Sequence, residues 1–314
     1  MEDLLEKARR MLKSCRLCGH GCGADRLAGE TGECGAGARA RVAAHLLHFG
    51  EEPPLSGTRG SGTIFFSHCP LTCVFCQNFQ ISQEGRGEET DAAGLATMML
   101  ELEAAGAHNL NLVSPTPWVP QILEALTLAR GRGFGLPVVY NTGGYDSLAA
   151  LRLLEGVVDV FLPDAKYADP AVAEALSGAE NYPAVNRISL SEMHRQAGPL
   201  KTDDDGLARR GMLVRHLVLP QDLAQTKEVL AWLARAFGPE VPVSLMAQYL
   251  PSHRARQGSD LFPALTRPLT NAEYEEAMDQ ALALGMENVF IQELSSAETY
   301  APDFGRAEVF ERRG

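Results

Sequence analysis

Long apolar runs, a charged-then-apolar leader and an excess of positive charge are all missing from this 314-residue chain. With 28 Lys and Arg against 40 Asp and Glu, the formal net charge is -12, which argues against nucleic acid or an anionic membrane as a partner. No stretch reaches the length that crosses a bilayer, and the opening MEDLLEKARRMLKSC reads as a short amphipathic helix. A soluble, cytoplasmic protein is expected. Cysteine is also sparse: the seven present fall in two tightly spaced groups. That pattern suits metal ligation in a reducing compartment better than the disulfide framework of a small secreted chain. Apolar content is ordinary, and the length suits one α/β barrel with a small appendage or two domains.

The stretch Gly62 to Ser82, GTIFFSHCPLTCVFCQNFQIS, stands at the centre of what is there. Thr63 to Ser67 reads as a short buried strand leading into Cys69, Cys73 and Cys76 at C-x-x-x-C-x-x-C spacing, with Phe75 before the third cysteine. Structural zinc takes four ligands and an ordinary four-iron cluster one cysteine per iron, so three thiolates leave one position open for another molecule.

Upstream, residues 1–41 form a first unit. Leu4, Leu5, Ala8, Met11 and Leu12 share one face of the opening helix, and Cys15, Cys18, Cys22 and Cys34 follow at intervals that close a four-ligand site. The glycines between them permit the tight turns such a knuckle needs. Spacing does not choose between an auxiliary iron-sulfur cluster and a zinc or single-iron staple. His20 is expected beside that metal more than on it. Residues 42–61 read as a linker, with EEPPLSGTRGSG carrying Pro and Gly punctuation.

From 62 to 314, apolar runs alternate with helical stretches. After Thr63 to Ser67 come Leu110 to Val113, Leu136 to Tyr140, Val157 to Leu162, Met212 to Leu219 and Val241 to Gln248. Between them fall helices such as Ala92 to Ala105, Val119 to Ala129, Leu148 to Leu154, Leu223 to Phe237 and Ala272 to Leu284. Repeated strand–helix units predict an α/β fold with a parallel sheet and right-handed crossovers, and six of them make a partial (β/α)6 barrel. In such sheets the residues just after the strands carry the site.

Strand, three-cysteine loop and aromatic together resemble the radical S-adenosylmethionine (SAM) enzymes. The resemblance implies that Cys69, Cys73 and Cys76 hold a [4Fe-4S] cluster whose fourth iron is chelated by the amino and carboxylate groups of SAM. The wider pattern, from CRLCGHGCGADR through CPLTCVFCQNFQIS, PVVYNTGGYD, LPDAKY, EMHRQAG and LVRHLVLP to AQYLP, is similar to a branch described as homologues of pyruvate formate-lyase activating enzyme. Ser114 and Thr116 stand where many radical SAM enzymes carry a Gly-Gly-Glu segment, and their hydroxyls, or carbonyls freed by the neighbouring prolines, are expected to accept from the SAM ammonium. Asn141 and Thr142, and Asp164 with Lys166, resemble the Thr-containing and Asp-x-Lys turns of the activating enzymes. They are expected to position SAM and a monovalent cation.

Arg215, by the same resemblance, faces inward for bidentate contact with the SAM carboxylate, leaving His216 packed. Gln248, Tyr249 and Leu250 would close over adenine. The insertion from Tyr182 to Arg210 is expected to be the substrate region, with His194 and Arg195 near the end of its helix, then LKTDDDGLARR as a polar, mobile loop and Asp203 to Asp205 as a solvated charge run. The implied activity is reductive cleavage of SAM to a 5'-deoxyadenosyl radical, with hydrogen abstraction from a glycine of a glycyl-radical partner, a peptide or a small metabolite. An external electron donor of flavodoxin or ferredoxin type is the implied partner. In activating enzymes with auxiliary clusters the extra cysteines follow the SAM-cluster loop, whereas here Cys15 to Cys34 precede it. The competing reading, a non-catalytic iron-sulfur electron carrier, has no use for Asp164, Lys166 and Arg215.

Overall fold

The computed structural model describes residues 2–258, 262–294, 302–306 and 309–310. Its strands are β1 (Ala40–His48), β2 (Ser61–Phe66), β3 (Glu88–Thr90), β4 (Leu110–Val113), β5 (Val138–Thr142), β6 (Val160–Pro163), β7 (Lys201–Thr202), β8 (Ala208–Met212), β9 (Val214–Leu217), β10 (Val243–Met246) and β11 (Val289–Ile291). One sheet has the order β3-β1-β2-β4-β5-β6-β8-β7 and a second the order β11-β10-β9. The pairs joining β2, β4, β5, β6 and β8 are all parallel, as are those joining β9, β10 and β11.

The two sheets form one curved wall. β8 and β9 are separated only by Leu213, whose amide donates to Phe161 O at 3.0 Å, and β6 pairs onward to β9 through Asp164 and Arg215. The run MLVRHLVLP, read as a single strand, is thus split at a bend. All of β2, β4, β5 and β6 is buried, which explains their unbroken apolar runs: both faces of a parallel sheet are covered. Side chains alternate between two cores. Val138, Tyr140 and Phe161 pack outward with the helices, whereas Val139, Val160 and Leu162 pack inward with Leu55 and Leu213.

The helices Ala92–Ala104, Val119–Gly131, Leu148–Leu153, Thr226–Phe237 and Asn271–Ala283 stand where the periodicity predicts them. Three of the five start on a side-chain cap: Asp91 accepts from Gly94 N at 2.8 Å, Ser147 from Ala150 N, and Thr270 with Glu273 forms a reciprocal cap. Two expectations are corrected. Residues 42–61 are not a plain linker: they hold most of β1, which pairs antiparallel with β2, and a short helix Pro53–Ser56. The boundary drawn after residue 41 therefore falls inside a strand. The stretch after helix Tyr182–Ala197, read as a mobile loop, forms an antiparallel hairpin of β7 and β8, its turn fastened by Asp203, which accepts from Leu207 N and pairs with Arg209. Among the described residues no helix is long and apolar enough to cross a membrane.

Candidate functional site

A cavity of about 250 Å³ opens at the carboxyl ends of the parallel strands. Cys69, Cys73 and Cys76 all line it. Their loop leaves β2 through His68, whose φ of 69° is unusual for a residue with a side chain. It is then pinned to the end of helix Pro170–Ser177: Thr72 N donates to Ser177 O at 3.0 Å and Val74 N to Leu176 O at 2.9 Å. Ser177 Oγ donates to Cys73 Sγ at 3.0 Å, and Ser82 Oγ lies 3.2 Å from Cys76 Sγ. Burial, reinforced by the neighbouring Cys73, raises the Cys69 thiol, and the same two causes push Cys76 up to about 11 against the opposing hydrogen bond from Ser82. Thiols whose ionisation is opposed by burial and by one another ionise readily when a bound metal supplies the opposing charge.

Among the described residues no three His, Cys, Asp or Glu side chains meet in metal-ligand geometry. The donor chemistry still fits a cluster held on three sides: three unpaired thiols from one loop face one cavity, and space remains beyond them.

Ser114, Asn141, Thr142, Asp164, Lys166 and Arg215 line the same cavity, as strand-end positions should. Ser114, like His68, has a positive φ, 57°; two strained strand ends thus flank the mouth. Lys166 Nζ lies 2.6 Å from Asp164 Oδ2, with side chains only 16% and 21% exposed. Burial alone would lower Lys166, but Asp164, together with Cys73, Tyr182 and Tyr167, more than offsets it and holds the ammonium well above its ordinary range. The turn after β5 is locked to the end of β6: Asn186 Nδ2 donates to both Gly144 O and Asp164 O, and Tyr182 Oη reaches Gly143 O at 2.9 Å. Gly144 has φ +71°, and a Cβ there would stand 2.3 Å from Asp164 O, so only glycine closes this turn.

Three site expectations change. Thr116 does not line the cavity; it is buried and donates to Asp146 Oδ1 at 2.7 Å. Asp146 also accepts from Tyr140 Oη and Thr142 Oγ1, so a buried carboxylate fixes the Thr142 hydroxyl from behind. Arg215 reaches the cavity, yet its guanidinium is already taken: Nε and Nη2 meet Glu52 at 2.7 and 2.6 Å, and Nη2 also meets Glu51. Its bidentate partner is a protein carboxylate. His216 is fully buried, its Nδ1–H donating to Ala165 O at 2.6 Å while Nε2 accepts from Thr226 Oγ1, so it is packed as expected. Tyr249 lines the cavity edge-on to Phe75, with its hydroxyl donating to Leu265 O. No residue of the insertion, Tyr182 to Arg210, lines the cavity, and Arg195 is engaged by Glu192 and Glu155.

Glu51, Glu52 and Asp146 were missed by the sequence reading. The available signal was weak: a Glu-Glu-Pro-Pro run just before the first barrel strand, and an aspartate closing the turn after the third.

Behind the cavity, Cys15, Cys18, Cys22 and Cys34 line one small second cavity with His20, Arg26 and Pro70. Burial pushes Cys18 up to about 12, with Cys34, Cys15 and Cys22 adding to it. A Cβ on Gly32 would stand 2.3 Å from Cys22 Sγ, so the backbone passes directly over that thiol. The two cysteine groups are joined in both directions. His20 Nε2–H donates to Pro70 O at 2.7 Å, and His68 Nδ1–H donates to Cys34 O at 3.0 Å. Cys18 also pairs with Asp146 through the backbone, and Arg26 donates to Pro117 O while lying over the Trp118 ring. His20 thus lines the same small cavity as the four thiols.

No family model matches the chain. It is 30% identical over 296 residues to the uncharacterized protein MJ0674 of Methanocaldococcus jannaschii, an alignment covering 91% of this chain and 79% of that protein. The chain belongs to the MJ0674 family. Among solved structures, Streptococcus suis SuiB bound to precursor peptide SuiA matches 75% of this chain with TM-score 0.50 and 10% identity. HydG, a maturase of the [FeFe]-hydrogenase, matches 74% with TM-score 0.47 and 10% identity. The chain spans about half the length of these two structures, 49% and 51%. The MJ0674-family member described here therefore has a mixed α/β fold with a parallel sheet like that of SuiB.

Proposed function

We propose that this chain is a radical SAM enzyme. One observation carries the reading: three thiols from a single loop and the charged strand ends Asp164 and Lys166 face the same cavity. The fold shared with SuiB supports it. Cys69, Cys73 and Cys76 would hold a [4Fe-4S] cluster, and Ser114, Asn141, Thr142, Asp164 and Lys166 would receive the polar end of SAM. When bound, that pair supplies one-electron cleavage of SAM to methionine and a 5'-deoxyadenosyl radical. The protein's part is to orient and to exclude water. The Asp146 hydroxyl network and the Asn186 and Tyr182 contacts hold the strand-end turns in place, and Phe75 and Tyr249 shield the loop.

Glu51 and Glu52 hold Arg215, so its expected contact with SAM narrows to any donor they leave free; Nη1 lies 3.5 Å from Asn141 Oδ1. An external reductant of flavodoxin or ferredoxin type would serve a cytoplasmic enzyme with seven free thiols. The finer reading, an activating enzyme acting on a glycyl-radical partner, rests on the Asn141-Thr142 and Asp164-x-Lys166 turns; a peptide target is the alternative that the SuiB complex with SuiA suggests. The four-cysteine group would bind zinc or a second iron-sulfur cluster and hold the N-terminal segment against the loop. A pure electron carrier accounts for the thiols but not for a charged cavity beside them.

The test is anaerobic reconstitution, with iron and sulfide counted and SAM plus dithionite assayed for 5'-deoxyadenosine. Iron at the loop without 5'-deoxyadenosine would return the protein to the carrier class.

A further inference from the structure

The inner end of the cavity has its own charge logic. β1 runs antiparallel to β2 with His48 opposite Ser61, the first residue of β2. The chain that follows, Glu51 and Glu52, therefore enters at the amino ends of the parallel strands, while Cys69 follows the carboxyl end of β2. Both groups line one cavity, so it runs inward from the thiols toward the two glutamates. Its wall also carries the apolar side chains of Phe65, Val113, Leu217 and Met246.

At that inner end two carboxylates share one guanidinium. The side chains of Glu51, Glu52 and Arg215 are 6%, 3% and 14% exposed. Glu52 takes the bidentate face of Arg215, whereas Glu51 shares only Nη2 and leans on an amide, Asn111 Nδ2, at 2.9 Å. The other lining cation, Lys166, is paired with Asp164. Among the described charged residues lining the cavity, the acids thus outnumber the bases by one, and the surplus lies at Glu51. Burying a carboxylate without a full counter-charge is costly, and a cation arriving in the cavity recovers that cost.

We propose that Glu51 is the receptor for a primary ammonium group carried on an aliphatic arm of the substrate. The inference rests on the radical SAM reading and deepens it by naming the substrate class: an alkylamine, free or as a lysine side chain. The apolar wall takes the arm, and the surplus carboxylate takes its charged end.

SAM also carries an ammonium group, so the test separates the two sources. The reconstituted wild type and Glu51→Gln are titrated anaerobically with n-pentylamine, with n-pentanol as the uncharged control, and separately with SAM; 5'-deoxyadenosine formation is followed in parallel. The wild type should bind pentylamine at least tenfold more tightly than pentanol, and Glu51→Gln should lose that preference while keeping its SAM affinity. No preference for the amine in the wild type overturns the proposal while leaving SAM cleavage to be judged by its own assay. A loss of SAM affinity in Glu51→Gln with pentylamine binding unchanged assigns Glu51 to SAM and overturns it as well. Should Glu51→Gln unfold, the same titrations of Glu51→Asp decide, a shortened arm being expected to weaken pentylamine and spare SAM.

Discussion

The two cysteine groups are built from the same donor and reach opposite ends. The four-cysteine group is closed: its thiols face a small cavity, a glycine backbone passes over Cys22, and the loop is stitched to the turn after β5 through Cys18 and Asp146. The three-cysteine group is open, because its thiols share the larger cavity with Asp164 and Lys166. A complete donor set leaves a metal nothing further to bind and makes it a staple or a relay; an incomplete one leaves a coordination position for a reacting molecule. The difference lies less in the loops than in what each faces.

The largest expected effect tests the open group. Replacing Cys69, Cys73 and Cys76 with Ala should remove 5'-deoxyadenosine formation entirely while circular dichroism and melting remain those of the wild type, since helices and strands, not thiols, hold the barrel. Persistent SAM cleavage in that variant would erase the distinction. For the closed group, replacement of Cys15, Cys18, Cys22 and Cys34 should cost several kcal/mol, on the order of 10 °C in Tm, because a structural metal contributes folding free energy directly. Metal analysis reads the kind of site: loss of about four irons marks a second cluster, and loss of zinc with iron intact marks a staple.

A smaller change probes the join. His68→Asn keeps a residue that tolerates positive φ but removes the imidazole bond to Cys34 O, so stability should fall by about 1 kcal/mol. Iron should be lost faster from the three-cysteine loop on exposure to a chelator; equal rates would show that the groups are independent. The least effect concerns Asp146, whose backbone meets Cys18 and whose carboxylate holds Thr142. Burial raises this carboxyl above its ordinary value, with three hydroxyls opposing the shift. A raised carboxyl binds its proton more tightly in the folded state, so its contribution is largest below the unfolded value and is lost as pH rises through the folded one. Asp146→Asn should therefore flatten the acid limb of the wild-type stability profile, and a profile unchanged by the substitution would mean that the group titrates as it does in the unfolded chain.

Much of this was legible in one dimension. Buried parallel strands announce themselves as unbroken apolar runs, and a ligand triad within eight residues needs no tertiary knowledge to be noticed. What escaped depends on distance along the chain. Arg215 meets Glu52 across 163 residues, and no local pattern marks a glutamate in a Pro/Gly-rich stretch as the partner of a strand arginine. β1 escaped because its burial does not alternate cleanly, so neither strand template fits ARVAAHLLH well. The bend at Leu213 escaped because an apolar run looks the same whether it lies in one sheet or two.

The paired histidine latches carry one more consequence. Each segment lends a ring N–H to the other, and each is received by a main-chain carbonyl, Pro70 O or Cys34 O. Neither latch touches a thiol. What joins the two groups is therefore the path of the backbone, so a metal bound by the four cysteines would act on the front loop by setting where its main chain lies.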